Sequence, residues 1–265
     1  MSDQLSIAAV DETFRSARLV RAISRYVADQ FAFPGTTDLE LDPADVEPEI
    51  TGKPVRRVMS RSAVTNKGYF LSDRSGEILP WESRIELFAL QRLDCMDGVT
   101  QIFTQPVTVE YSCPFKQRRR LATPDIFIVF DGRPMLIEVK EDLSTLKADE
   151  RQQLALLEQL FSRAGVQYRT WVQDEICVEP LLSNALWLAR YKSVALSESD
   201  RLAILGLFSE SSDLTLEQVG EQLGDRSLMR PYAMVLRNWL MTAPDCDIRQ
   251  NPTVRINPRL SEENR

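Results

Sequence analysis

Two carboxylates and a lysine stand at the ends of neighbouring apolar segments in the middle of the chain. Asp125 directly precedes the apolar segment 126–130, and Glu138 and Lys140 end the next one, 135–140. Because successive side chains of a strand alternate between its two faces, Glu138 and Lys140 project together from one face. Paired carboxylates beside an ammonium group suit metal-assisted hydrolysis of a phosphodiester.

The dipeptide Asp131-Gly132 between these segments predicts a β-hairpin with a two-residue turn. Counting back along both strands from that turn places Asp125 directly opposite Glu138. Opposed residues have Cβ atoms about 4.5–5.5 Å apart, close enough for their carboxylates to share one divalent cation. A four-residue loop would leave both on one face, whereas a three-residue loop would separate them unless a bulge intervened.

Two carboxylates at that separation repel each other and need a cation between or beside them. Oxygen ligands favour Mg²⁺, with Mn²⁺ as a substitute, and such an ion lowers the pKa of a bound water molecule. Lys140 would orient the water or add positive charge at the transition state. The alternative is a hairpin whose polar residues merely mark the strand ends.

The composition removes most other catalytic chemistries. The chain has no histidine, which excludes Ser-His-Asp and Cys-His mechanisms and any histidine-ligated metal. Its four cysteines are far apart in sequence and form no Cys-x-x-Cys pair, so they predict neither a zinc site nor a redox motif. Carboxylates, lysine and a bound metal ion remain.

The charge distribution favours DNA as a partner of the central region. The chain carries a net charge of −7, but residues 51–140 hold 14 basic and 10 acidic groups, whereas residues 1–50 hold 4 and 10. A basic run shortly before Asp125 predicts contacts to DNA phosphates, with a solvated turn as the alternative. Its cations are Lys116, Arg118, Arg119 and Arg120.

A third carboxylate would complete a metal site, and the predicted helix 81–96 offers two candidates. Glu82 and Glu86 lie one helical turn apart, so they share a face. Acidic residues on a helix are commonly only solvated. The spacing alone does not show whether these acids bind a metal ion or are only solvated.

The order of predicted elements indicates an α/β fold with three regions. Residues 1–50 contain an amphipathic helix over 11–31 and an acidic arm over 36–50. Residues 51–195 alternate helices and strands, among them a strand over 101–111 and a long helix over 143–164. Residues 196–265 contain three helices, over 197–208, 215–223 and 226–241, followed by a hairpin, which is the order of a winged-helix domain. Thr215 and Gln218 have the spacing of a capping box at the start of the second helix. No apolar stretch reaches the roughly 18 residues that a membrane span needs, and we expect a cytoplasmic protein that does not bind membranes.

Several separated motifs resemble the TnsA family, the endonuclease subunits of bacterial heteromeric transposases within the PD-(D/E)xK nuclease superfamily. The similarity covers roughly residues 54–192. It implies a restriction-endonuclease-like core followed by a winged-helix-like domain. The matching stretches are Trp81-Glu82-Ser83-Arg84-Ile85-Glu86-Leu87, Thr123-Pro124-Asp125, Ile137-Glu138-Val139-Lys140 and the block from Asp174 to Tyr191.

The resemblance implies that Glu86, Asp125 and Glu138 are catalytic metal ligands and that Lys140 is the active-site lysine. Val139, between Glu138 and Lys140, is added to the predicted metal site. Gln105 would touch the DNA or the site, although a hydrogen bond at a strand end is an equal alternative.

The implied function is Mg²⁺-dependent cutting of the 5′ strands at transposon ends. The expected partners are double-stranded DNA, a DDE transposase subunit and an AAA+ ATPase regulator. Two rival functions remain open. One is a restriction or repair nuclease with the same type of site, and the other is a catalytically silent adaptor that binds DNA and protein partners.

Overall fold

Residues 66–113, 118–163 and 166–262 are described by a computed structural model, and they form a mixed α/β chain as predicted. The strands of this part are β1 (Gly68–Leu71), β2 (Ile78–Trp81), β3 (Val99–Thr104), β4 (Val109–Cys113), β5 (Arg118–Ala122), β6 (Ile126–Phe130), β7 (Arg133–Lys140), β8 (Gln167–Val172), β9 (Leu214–Thr215), β10 (Leu240–Thr242) and β11 (Thr253–Ile256). Its α-helices are α1 (Arg84–Cys95), α2 (Ala148–Arg163), α3 (Gln173–Ile176), α4 (Leu181–Leu188), α5 (Glu198–Glu210), α6 (Leu216–Gln222), α7 (Met229–Leu236) and α8 (Arg259–Glu262). The predicted N-terminal helix and acidic arm lie outside the described residues.

The hairpin β6–β7 has the predicted two-residue turn and the predicted register. Phe130 pairs with Arg133 next to the turn. Asp131 and Gly132 have φ values of +49° and +71°. Left-handed conformations at both central residues are the requirement of a type I′ turn, whose twist matches that of the flanking strands.

The hairpin forms the middle of a four-stranded mixed sheet with the order β3-β6-β7-β8. Strand β3 runs antiparallel to β6, whereas β8 runs parallel to β7 because helix α2 connects them as a crossover. All four residues from Ile126 to Val129 are buried, so both faces of β6 are covered. This explains why β6 is a continuous apolar run instead of an alternating one.

The single strand predicted over residues 101–111 is wrong, because the chain leaves the sheet after Thr104. Gln105 adopts a left-handed backbone with φ +48°, and Pro106 follows it. Proline has no N–H to donate to a strand ladder, so β3 ends there. The chain resumes at Val109 in a separate antiparallel pair, β4–β5.

Helix α2 begins five residues later than the predicted start at Leu143. The chain before it forms local hydrogen bonds around Asp142, whose carboxylate accepts the N–H of Ser144 at 2.7 Å and whose carbonyl accepts the hydroxyl of Thr145 at 2.9 Å. Such local bonds give the backbone an alternative to helix formation.

The C-terminal part contains four α-helices, the last of them α8, and a small sheet. Helix α5 is followed by β9, α6, α7, β10 and β11, and the sheet order is β10-β11-β9. Thr215 and Gln218 form the predicted capping box at the start of α6. Helix α7 is shorter than the predicted 226–241, because Leu228 and Asn238 adopt left-handed conformations on either side of it.

The chain divides into two units that alternate along the sequence. Among the described residues, one unit takes in those of 66–87 and 98–175, and the other takes in those of 88–97 and 176–262. The predicted boundary at residue 196 therefore falls within the second unit. In that unit the buried carboxylate of Asp94 is paired with Lys192 at 2.6 Å.

None of the helices in the described ranges is both long and apolar enough to cross a bilayer.

The left-handed turn predicts a specific response to substitution of Gly132. We expect Gly132→Ala to lower the free energy of unfolding by about 1–2 kcal/mol, because a Cβ atom is disfavoured in this conformation. Gly132→Asn is the matched control and should cost less, since asparagine visits the left-handed region more readily. Urea denaturation measures both, and equal losses in the two variants would contradict the turn assignment.

Candidate active site

The carboxylate of Asp125 lies against strand β7, between Glu138 and Lys140. Its Oδ2 accepts a hydrogen bond from the main-chain N–H of Val139 at 2.8 Å. The main-chain carbonyl of Asp125 accepts the N–H of Gln105, also at 2.8 Å. Asp125 is thus held from two sides, by Val139 of β7 and by Gln105 directly after β3.

Glu138 and Lys140 project from the same face of β7, as the alternation predicts. The Lys140 Nζ donates to Glu138 Oε1 at 2.6 Å, and both side chains are partly exposed. The Val139 side chain points into the core and is 6% exposed. Because a valine side chain has no metal-binding atom, Val139 has only its main-chain carbonyl oxygen to offer a cation.

Glu86 is fixed at the start of helix α1. Its Oε2 accepts the N–H of Glu82 at 2.8 Å, and its Oε1 accepts the hydroxyl of Ser83 at 2.9 Å. The Ser83 oxygen in turn accepts the N–H of Glu86 at 3.2 Å, which makes a reciprocal cap of the helix.

The structure places Glu82 and Glu86, which their sequence spacing did not distinguish, in different surroundings. Glu86 acts on the ionisation of both Asp125 and Lys140. The Glu82 carboxylate lies before the helix and pairs with Lys67 at 3.2 Å. Glu86 is therefore the acid that shares the electrostatic field of Asp125.

Burial and neighbouring negative charges dominate the electrostatics of the site. Burial raises the pKa of Asp125 to about 8, together with repulsion from Glu138 and Glu86, and the Val139 N–H and Lys140 offset this only in part. Burial lowers the pKa of Lys140, but the carboxylates of Glu138, Asp125 and Glu86 outweigh it and raise the pKa above its ordinary value. Lys140 is therefore a cation at neutral pH.

The donor set fits a hard divalent cation by chemistry. Three carboxylates supply only oxygen ligands, the preference of Mg²⁺ and Mn²⁺, and the negative charge that raises the pKa of Asp125 is what a cation would neutralise. Within the described residues, no three His, Cys, Asp or Glu side chains are gathered as a formed metal site. Glu86 is instead bonded to the helix start and Glu138 to Lys140.

The residues predicted to contact DNA lie in different environments. Arg120 donates from Nη1 to Gln153 Oε1 of helix α2 at 2.8 Å. Arg118 and Arg119 begin strand β5, and Lys116 lies outside the described residues. Gln105 is only 3% exposed and lies beside Asp125, so its side chain is not accessible to DNA in this conformation. Its main-chain bond to Asp125 places Gln105 next to the candidate site.

Thr170 is a neighbour of the site that the sequence interpretation missed. The parallel pairing of β7 and β8 places it beside Glu138. No local signal could have found it, because the crossover through α2 leaves the register of β8 undefined by any turn.

No protein-family model matches the chain, and no curated protein sequence matches it. Membership of the TnsA family therefore stays a prediction from the motifs.

The raised pKa of Asp125 predicts how stability depends on pH without divalent metals. Since the native pKa of about 8 exceeds the ordinary value of 3.8, the native state keeps a proton that the unfolded chain has lost between these pH values. Stability should therefore fall as pH rises through this window, at up to about 1.4 kcal/mol per pH unit. We expect Asp125→Asn to be more stable than wild type at pH 8–9, with the difference gone near pH 4.

Chemical denaturation across a pH series measures this effect, and Asp142→Asn is the control. Hydrogen bonds from Ser144 lower the pKa of the exposed Asp142, so its stabilising contribution is present above pH 4 and lost on acidification. Its replacement should act in the opposite direction. A stability difference for Asp125→Asn that does not change with pH would contradict the electrostatic interpretation.

Proposed function

We propose that the protein is a metal-dependent DNA endonuclease that hydrolyses phosphodiester bonds. The observation that carries the proposal is the position of the Asp125 carboxylate, bonded to the Val139 N–H between Glu138 and Lys140. Two acids and a lysine thereby meet at the end of one largely buried sheet. Glu86 adds a third carboxylate to the same electrostatic field.

Each residue has a distinct role in this proposal. Glu86, Asp125 and Glu138, with the Val139 carbonyl, would hold Mg²⁺ or Mn²⁺. The bound ion supplies a water molecule of lowered pKa and positive charge beside the phosphate. Lys140 has only N–H donors to offer because it is protonated, so it stabilises negative charge or orients water, and it is not a general base.

The finer fold assignment belongs to the same proposal. We infer a PD-(D/E)xK core from the four-stranded mixed sheet, in which the carboxylates lie on a central antiparallel hairpin and a helical crossover adds a parallel strand. We infer a winged-helix-like unit from the order of helices and strands after residue 197. Its sheet order β10-β11-β9 supports this reading.

Protein partners suit the C-terminal helices better than direct reading of a DNA groove. All residues of helix α7 from Pro231 to Leu236 are buried, so the helix has little free face. Arg230 bonds to Asp200 at 2.7 Å and Arg237 to the carbonyl of Lys192 at 2.9 Å. Arginines held within the unit are poor candidates for base contacts.

The TnsA-like function is the specific form of the proposal. The motif resemblance and the Glu86–Asp125–Glu138–Lys140 set support cutting of the 5′ strands at transposon ends. A DDE transposase subunit would cut the other strands, and an AAA+ regulator would contact the C-terminal unit. A restriction or repair nuclease would use the same site but would cut sequence-specifically without those partners.

One observation favours a second candidate, a catalytically silent DNA- and partner-binding adaptor. The Lys140 ammonium group is paired with the Glu138 carboxylate at 2.6 Å, and both carboxylate oxygens of Glu86 accept hydrogen bonds at the helix start. Such bonds would hold the acids as a structural network if no metal ion competed for them.

Cleavage of a transposon-end duplex tests the catalytic proposal. In the presence of the neighbouring transposase subunits, we expect Asp125→Asn, Glu138→Gln and Glu86→Gln each to lower 5′-strand cleavage by more than about a hundredfold, since even residues behind the ligands typically contribute 10–100-fold. Glu82→Gln is the matched control, because Glu82 lies four residues from Glu86 and pairs with Lys67, and it should cut at nearly the wild-type rate. Unchanged cleavage by Asp125→Asn would refute the site assignment.

Metal binding is the second test and separates nuclease from adaptor. Calorimetric titration of Mn²⁺ into wild type at pH 7 should show binding that Asp125→Asn abolishes. Because the pKa of Asp125 is about 8, binding should release a proton, and the measured heat should change with the ionisation enthalpy of the buffer. Wild-type protein that neither binds the metal nor cuts DNA would support the adaptor.

A further inference from the structure

A row of polar residues lies along the edge of the four-stranded sheet at the candidate site, where β3 ends and β6 begins. The ladders pair Thr104 with Ile126 and Ile126 with Ile137, and the next position along holds Gln105, Asp125 and Glu138. Thr170 continues this row, since it lies beside Glu138 in β8. Gln105 is therefore the neighbour of Asp125 on the side away from Glu138.

The row two positions further into the sheet, on the same face, is apolar. It contains Phe103, Phe127, Leu136 and Tyr168, and the rings of Phe103 and Phe127 stack with centroids 6.3 Å apart. The change from an apolar row to a polar row marks the border between the core and the candidate site. Gln105 belongs to the polar side of that border.

The backbone of Gln105 is in an unfavourable conformation. Its φ of +48° lies in the left-handed region, which a residue with a long side chain seldom adopts and which glycine adopts freely. The conformation coincides with the hydrogen bond from its N–H to the carbonyl of Asp125. The strained residue and the candidate catalytic acid are thus directly connected.

The environment of the Gln105 side chain is unfavourable as well. It is 3% exposed, and its amide oxygen Oε1 is buried without a hydrogen-bond partner among the described residues. An unsatisfied buried acceptor destabilises a fold, and a bound water molecule is the common way in which such an atom is satisfied. Glycine at this position would remove both unfavourable features, so stability does not explain a glutamine.

We propose that Gln105 is a positioning residue for Asp125, which acts through its left-handed backbone and through a water molecule bound to its buried amide oxygen. The backbone fixes the point at which Asp125 enters β6, and the amide-bound water restrains the carboxylate on the side away from Glu138. Strained residues of this kind persist only where the surrounding structure maintains them, and they cluster at functional sites. The catalytic part of the inference rests on the proposed nuclease function, whereas the structural part does not.

The test compares Gln105→Gly and Gln105→Met with wild type. Glycine relieves the backbone strain, and methionine keeps the side-chain length but removes the amide. Three properties are measured: hydrogen exchange of the Val139 amide in metal-free protein, thermal stability, and Mg²⁺-dependent cleavage. The Val139 amide reports directly on Asp125, because it donates to Oδ2 at 2.8 Å, and the Ile128 amide within β6 is the internal reference.

Asp131→Gly is the matched control for backbone strain. Asp131 has nearly the same φ, +49°, but it lies in the exposed turn at the opposite end of β6. We expect both Gln105 variants to exchange the Val139 amide at least tenfold faster, relative to Ile128, and to cut at least tenfold more slowly. Their melting temperatures should be no lower than that of wild type. Asp131→Gly should leave exchange and cleavage unchanged.

Exchange and cleavage within twofold of wild type in both Gln105 variants would overturn the proposal. A lower melting temperature with equal acceleration at Val139 and Ile128 would also overturn it, because that pattern indicates a structural role only. If Gln105→Gly does not fold, Gln105→Met decides by the same criteria. If wild type neither binds Mg²⁺ nor cuts DNA, the nuclease proposal fails, while Val139 exchange still decides whether Gln105 positions Asp125.

Discussion

The register of the β6–β7 hairpin is the constraint on which the geometry of the candidate site depends. Two left-handed residues, Asp131 and Gly132, close the hairpin with a two-residue turn, and the strand pairing follows from that turn. A slip of one residue would move every side chain of a strand to the other face. Asp125 reaches the Val139 N–H only because the register is correct at the far end, five strand residues from the turn.

Repulsion within the site is balanced by hydrogen bonds and by one cation. Burial raises the pKa of Asp125 to about 8, and repulsion from Glu138 and Glu86 adds to this, because Lys140 offsets it only in part. The fold tolerates this because the strand ladders and the cap at Glu86 hold the acids in place. A metal ion would relieve this repulsion, but it would compete with the bonds that hold Glu86 at the helix start and Glu138 at Lys140.

The sequence predicted the parts of the fold that local rules determine. The Asp131-Gly132 turn, the alternation of Glu138, Val139 and Lys140, and the capping box at Thr215 follow from neighbouring residues, and all three are confirmed. Features set by distant contacts were missed. The bend at Gln105 depends on a bond to Asp125, twenty residues away, and the place of Thr170 depends on a crossover of variable register. The spacing of Glu82 and Glu86 did not choose between them; the motif resemblance chose Glu86, and the structure places that residue in the electrostatic field of Asp125.

The alternation of the two units along the chain limits how the protein can be dissected. The segment Phe88–Asp97 belongs to the unit that otherwise begins at Ile176, and it contributes Asp94, whose buried carboxylate pairs with Lys192. A fragment starting at Ile176 would leave Lys192 without this acid, and a fragment ending at Glu175 would carry a helix of which the greater part belongs elsewhere. Within the described part of the chain, fusion, truncation and domain-exchange experiments therefore have no single clean junction at which both units stay whole.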